Sequence, residues 1–138
     1  MKKKKISLSQ VEDQVHYHRI GRLKKSVADQ IHRRAADIYI DDNHLKHILL
    51  RHKDELEKVG LTPKMLVDLV VSNFNRIYKG HNESLQLVVW NGNAKVAIIE
   101  INSALKKEFY EVKTALIKAK ENVNEADLLW VKKRKELV

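Results

Sequence analysis

The periodicity of this chain changes at Asn73, and that change limits the folds open to it. Upstream, apolar residues recur at helical steps, first Leu45, Ile48, Leu49, Leu56 and Val59, then Met65, Leu66, Leu69 and Val70. Such spacing gives each segment one buried face. Downstream come four short runs rich in β-branched and aromatic residues, at 76–79, 85–90, 95–101 and 109–116, which read as strands. The punctuation agrees with this division. Asp42 or Asn43 can cap a first helix over 43–59, and Gly60 suits the left-handed position that ends it. Thr62-Pro63 then supplies a cap and a first-turn proline for a second helix, while Asn91-Gly92-Asn93 marks a hairpin. A short strand at 37–41 precedes the pair. The expected fold is α+β, two helices followed by a four-stranded antiparallel sheet.

The flanks read as helical extensions. Ser9 and Glu12 form a capping box ahead of Val11, Val15, Leu23, Val27, Ile31 and Ala35, and Asn122 or Asn124 can cap a last helix through Leu128, Leu129 and Trp130. Residues 1–37 are thus expected as a basic helical arm, 38–131 as the folded domain and 132–138 as a basic tail. Charge follows the same division. Of the net +9, the central segment contributes nothing, with 13 basic and 13 acidic residues, whereas the arm carries +6 and the tail +3. Basic ends serve either solvation or attraction to a polyanion.

The chain has no cysteine, which excludes disulfides, thiolate metal sites and cysteine nucleophiles and fits a cytoplasmic location. No apolar run approaches the roughly 20 residues of a membrane span. Lys2 to Lys5 lead into Ser7, Ser9 and Gln10 rather than an apolar signal core.

Three of the seven histidines, His44, His47 and His52, lie on the first helix with Arg51. At about 100° per residue His52 falls near the centre of the apolar stripe and points at the sheet, while Arg51 and His47 lie outside it. One metal ion could not collect all three, and Asp41, Asp42, Asp54 and Glu55 lack a recognised metal spacing, so no metal is expected. His52 is either a core histidine with satisfied nitrogens or the floor of a cleft. Strand alternation places Thr114 with Tyr110, Val112 and Leu116. If the helices cover that face, His52 and Thr114 meet. Lys79 and His81 flank Gly80 in a turn, where solvated loop residues are the commoner reading. His16 and His18 cannot share one side of a helical arm. Ser72, Ser84 and Ser103 lack a nucleophile elbow, and no phosphate loop, dinucleotide fingerprint or calcium loop is present. The chemistry left standing needs only a histidine, a cation and a hydroxyl.

The runs His47-Ile48-Leu49-Leu50-Arg51-His52, Asn75-Arg76-Ile77-Tyr78-Lys79-Gly80 and Tyr110-Glu111-Val112-Lys113-Thr114-Ala115 carry a resemblance. With their order of elements, the segment from about Ile38 to Leu129 resembles the phage-associated nuclease domains grouped with barnase, EndoU, the tRNA-cleaving colicins and RelE, the BECR fold. The resemblance implies a cofactor-free, metal-independent endoribonuclease in which the ribose 2′-hydroxyl attacks phosphorus, in a toxin-like phage or mobile-element setting. It implies RNA as substrate and an inhibitor or immunity protein as a further partner. His52 or His47 would be the acid/base, Arg51 with Lys79 and Lys113 would hold phosphate, and Thr114 would donate its hydroxyl. A catalytic glutamate is not assigned, Glu100 and Glu111 being the candidates. Two other classes stay open: a non-catalytic nucleic-acid-binding protein on the same scaffold, and an interaction module whose N-terminal amphipathic arm docks on a partner or a second copy of the chain.

Overall fold

The structure is a computed structural model describing residues 16–103 and 108–133. It begins with strand β1 (Tyr17–Leu23), a single helical turn α1 (Lys25–Ala28) and strand β2 (Ala36–Asp41). Helices α2 (Asp42–Val59) and α3 (Pro63–Asn73) follow, then β3 (Arg76–Lys79), β4 (Leu85–Val89), β5 (Lys95–Ser103), β6 (Tyr110–Ala119) and β7 (Leu128–Val131). Local chemistry sets the helix ends. Asp41, rather than either residue after it, caps α2 by accepting from the His44 amide at 2.8 Å. Gly60 closes that helix at φ 72°, and the Thr62 hydroxyl caps α3 through the Met65 amide at 3.1 Å.

The sheet corrects the expected fold class. All seven strands form one mixed sheet in the order β1-β2-β6-β5-β4-β3-β7, in place of four antiparallel strands flanked by helices. β2 runs parallel to β6, with Ile38 opposite Tyr110, and this pairing joins the N-terminal hairpin to the rest. The helical reading of residues 17–37 fails because Leu23, Val27, Ile31 and Ala35 fall at steps of four by crossing from a strand through a turn, not by following one helix. A bulge at Ile20, between the Arg19 and Gly21 pairings, further hides the strand alternation. The helical reading of the C-terminal segment fails as well. Asn124 caps a 3₁₀ turn over Glu125–Asp127, accepting from the Ala126 amide at 3.0 Å, and Leu128, Leu129 and Trp130 then extend beside β3. Ser9, Val11, Glu12, Val15 and the tail beyond Lys133 lie outside the described residues.

Both long helices cover one face of the sheet. Ile48 and Leu56 of α2 and Leu66, Val67 and Val70 of α3 pack in one cluster with Leu85, Leu87, Ile99, Ile101 and Val112. Each such side chain contributes about 1.5–3 kcal/mol by leaving water. Leu23, Ala28, Ile31 and Ala36 belong to the same cluster, so the N-terminal segment supplies part of the core. The opposite face carries two smaller clusters, Tyr17 with Tyr39 and Phe109, and Tyr78 with Val88, Val96 and Ile98. Among the described residues no helix is long and apolar enough to cross a membrane.

Two contacts of the hairpin are directly testable. Gly21 lies so close to α3 that an added Cβ would overlap Val71 Cγ1. Gly21→Ala is expected to cost about 1–3 kcal/mol in urea denaturation, and adding Val71→Ala to recover most of it. The second contact is Asp37, whose carboxylate accepts from Arg19 at 3.3 Å and Arg22 at 3.1 Å. Burial pushes its pKa up, but the hydrogen bonds and charges of Arg19 and Arg22 together outweigh burial and leave it below the ordinary value. An unfolded chain therefore binds this proton more readily, and the contact's stability is present above about pH 3.9 and lost as pH falls through the folded pKa. Asp37→Asn should lose up to about 1 kcal/mol at pH 7 and match the parent chain in strong acid. Melting the two chains side by side across pH reads the difference.

Candidate functional site

The histidines of α2 do not converge. His44 is held by Asp41, Nδ1 to Oδ1 at 2.8 Å, and His52 by Glu55, Nδ1 to Oε1 at 2.7 Å, within a side chain only 20% exposed. His52 also leaves helical geometry, at φ −126° and ψ 23°, so it marks an irregular turn of the helix. His47 and Arg51 face solvent. The helix residues are thus divided between local hydrogen bonds and open water.

Thr114 lies on the other side of the sheet. Glu100 pairs with Thr114 but Ile101 pairs with Val112, which leaves Lys113 as an extra residue in β6. A bulge of this kind resets the alternation. Val112 and then Ala115 face the helices, and Leu116 packs against the opposite cluster with Ile98. Glu100, between Ile99 and Ile101 that both enter the helix-side core, shares the face away from the helices with its partner Thr114. The expected approach of His52 to Thr114 is therefore wrong, since a seven-stranded sheet stands between them.

That face, partly covered by Val123 and Leu128, carries the polar groups that do converge. Tyr78 is registered opposite Gln86, Gln86 opposite Glu100, and Glu100 opposite Thr114, giving a row across four adjacent strands. At about 4.8 Å per strand the row is roughly 14 Å long. Beside it opens a cleft of about 340 Å³ lined by Tyr78, Lys79, His81, Gln86 and Lys118, with Asn122, Asn124 and the carboxylate-bearing Asp127 on its far side. Neither Lys79 nor Lys118 has an acidic partner among the described residues. Arg76, by contrast, is engaged by Glu125 at 3.4 Å and stacked 3.9 Å over Trp90. Burial raises the pKa of the Tyr78 phenol, which donates to Glu125 at 3.0 Å and stays protonated at neutral pH.

The loop between β3 and β4 fixes Glu100 and His81 relative to each other. Ser84 is buried and donates its hydroxyl to Glu100 Oε2 at 2.6 Å. Gly80 donates its amide to the Ser84 carbonyl at 2.9 Å, and Ser84 its amide to the His81 carbonyl at 2.9 Å. A Cβ on Gly80 would overlap Ser84 Oγ and stand 3.2 Å from Glu100 Oε2, so the carboxylate lies beside the backbone that carries His81. Asn82 and Glu83 both adopt positive φ, at 50° and 68°. Each costs on the order of 1–2 kcal/mol, and Arg33 holds the strained pair through the Glu83 carbonyl at 2.7 Å. The remaining motif cation, Lys113, lies 3.9 Å from Glu111, whose carboxylate also accepts from the Tyr17 hydroxyl.

Gln86 and Lys118 had no sequence signal, because only register across β4, β5 and β6 brings them together. Asn122 and Asn124, candidate helix caps in the sequence, reach the cleft from the turns after β6. His16 and His18 differ from expectation too. The segment entering β1 is extended, so residues two apart share a side, and both rings reach Asp42, at 3.4 and 2.6 Å. The hydrogen bond from His18 is the main reason the Asp42 carboxyl is held below its ordinary pKa. Among the described residues no group of three or more histidines or carboxylates is arranged to hold a metal ion. Comparison with protein families, curated proteins and solved structures finds no match for the chain.

Proposed function

We propose that this protein is a cytoplasmic, metal-independent ribonuclease that binds RNA at the face of its sheet opposite the two long helices. The observation that carries the reading is the registered row Tyr78, Gln86, Glu100, Thr114 with Lys79, His81 and Lys118 at its flank. Cleavage by an internal hydroxyl needs a base for that hydroxyl, an acid for the leaving oxygen and cations for the growing phosphate charge. Lys79, Lys118 and His81 line the cleft, and Glu100 stands in the row beside it, bonded to Ser84 of the loop that carries His81. Glu100 is the base: Ser84 fixes one carboxylate oxygen, and the other is free of hydrogen bonds among the described residues. It takes the 2′-hydroxyl proton as the 2′-oxygen bonds to phosphorus. His81 is the acid that gives a proton to the 5′-oxygen as the phosphorus–5′-oxygen bond breaks. Lys79 and Lys118 attract the phosphate, and Thr114 donates its hydroxyl along the row.

The test is incubation of the purified chain with end-labelled single-stranded RNA in EDTA, followed by analysis of product ends. The expected products end in 2′,3′-cyclic phosphate. Folded protein that leaves varied RNAs intact sinks the catalytic assignment. Salt-sensitive binding without cleavage, lost in Lys79→Glu and Lys118→Glu, would instead support a binding protein that uses the same face.

A further inference from the structure

β1 and β7 are the two outer strands of the sheet, yet both line a single second cleft. The sheet curls far enough around α3 that its opposite edges approach the same end of that helix. The cleft has a volume of about 540 Å³, within the usual range for a recognition site. Its interior is apolar, with Ile20 and Val27 from one edge, Val71 from α3, and the rings of Phe74 and Trp130 packed 5.9 Å apart. Its rim is cationic. Arg22 is paired with Asp37, but Lys24 beside β1 and Lys132 beside β7 have no acidic partner among the described residues, and no carboxylate lines the cleft.

We infer that this seam binds an extended segment of a partner protein whose side chains alternate between apolar and acidic. An extended chain sends successive side chains to opposite sides, so apolar ones can enter the floor while acidic ones reach Lys24 and Lys132. The outer edges of β1 and β7 offer main-chain donors and acceptors that no strand takes among the described residues. A second copy of the chain fits poorly, because each copy carries +9 and would bring its own cations to the same rim. A nucleic acid fits less well than a peptide, since the two rings pack on each other at a 56° tilt and present no parallel pair of faces between which a base could stack. The seam shares no lining residue with the cleft at Lys79 and His81.

Trp130 gives the readout. The chain has two tryptophans, so Trp90→Phe leaves Trp130 as the sole indole reporter. Titrating this full-length variant with a synthetic peptide of alternating glutamate and valine should give a saturable emission change, and the lysine–valine counterpart none. Reversing the rim with Lys24→Glu plus Lys132→Glu, both exposed positions, should weaken binding at least ten-fold while circular dichroism stays unchanged. Glu100→Gln should leave peptide binding intact, which separates this site from the cleavage reaction. No saturable change at millimolar peptide, an affinity untouched by charge reversal, or tighter saturation of the same signal by single-stranded RNA would each overturn the inference.

Discussion

Glu100→Gln is expected to lower RNA cleavage by about 10²- to 10⁴-fold, the usual contribution of a positioned base, with little change in melting temperature. The amide cannot take a proton from a ribose hydroxyl. It still offers an oxygen to the buried Ser84 hydroxyl, so the hydrogen bond that holds β5 to the loop survives. His81→Ala should fall in the same range. Combining the two should cost far less than the product of the single effects, because the base and the acid act together in one cleavage step. His52→Ala should leave the rate within about two-fold and act on stability alone, since its ring is held by Glu55 on the helix side of the sheet. Initial rates on one labelled RNA rank all four chains. A collapse of activity in His52→Ala with none in Glu100→Gln would return the chemistry to the helix.

Leu23→Ala should destabilise the fold by about 2–5 kcal/mol, because its side chain is fully buried in the cluster shared with both long helices. Leu50→Ala offers the contrast. That residue sits inside the most distinctive motif of the sequence but is 82% exposed, and its truncation should stay within about 0.5 kcal/mol. Urea denaturation with a common slope decides both. Near-equal midpoints would mean that β1 is an appendage and not part of the core.

What could be read from the sequence was local. Gly60, Thr62-Pro63 and Asn91-Gly92-Asn93 mark their turns by their own conformational preferences, so both long helices and the strands from β3 to β6 could be located. β1 could not, because the spacing of Leu23, Val27, Ile31 and Ala35 imitates a helix although the chain changes conformation twice within it. β7 is four residues long and carries too little alternation to identify itself. The site was lost for a different reason. Alternation counted along β6 assigns Thr114 to the helix side, and only the bulge at Lys113, visible through pairing with β5, turns it over. The histidine cluster attracted attention because it is dense in sequence. The residues that meet in space come from four strands and are sparse in each.

The parallel pairing of β2 with β6 has a kinetic consequence. It joins Ile38 to Tyr110, so the N-terminal hairpin cannot enter the sheet until nearly all the intervening chain has been made and ordered. Contacts of such long separation slow folding, because the loop must close before the pairing rewards it. During synthesis the β1–β2 hairpin emerges early, with its apolar side chains exposed and its final neighbour still inside the ribosome. Its arginines and lysines then act as temporary guards against association, before the finished protein has any other use for them.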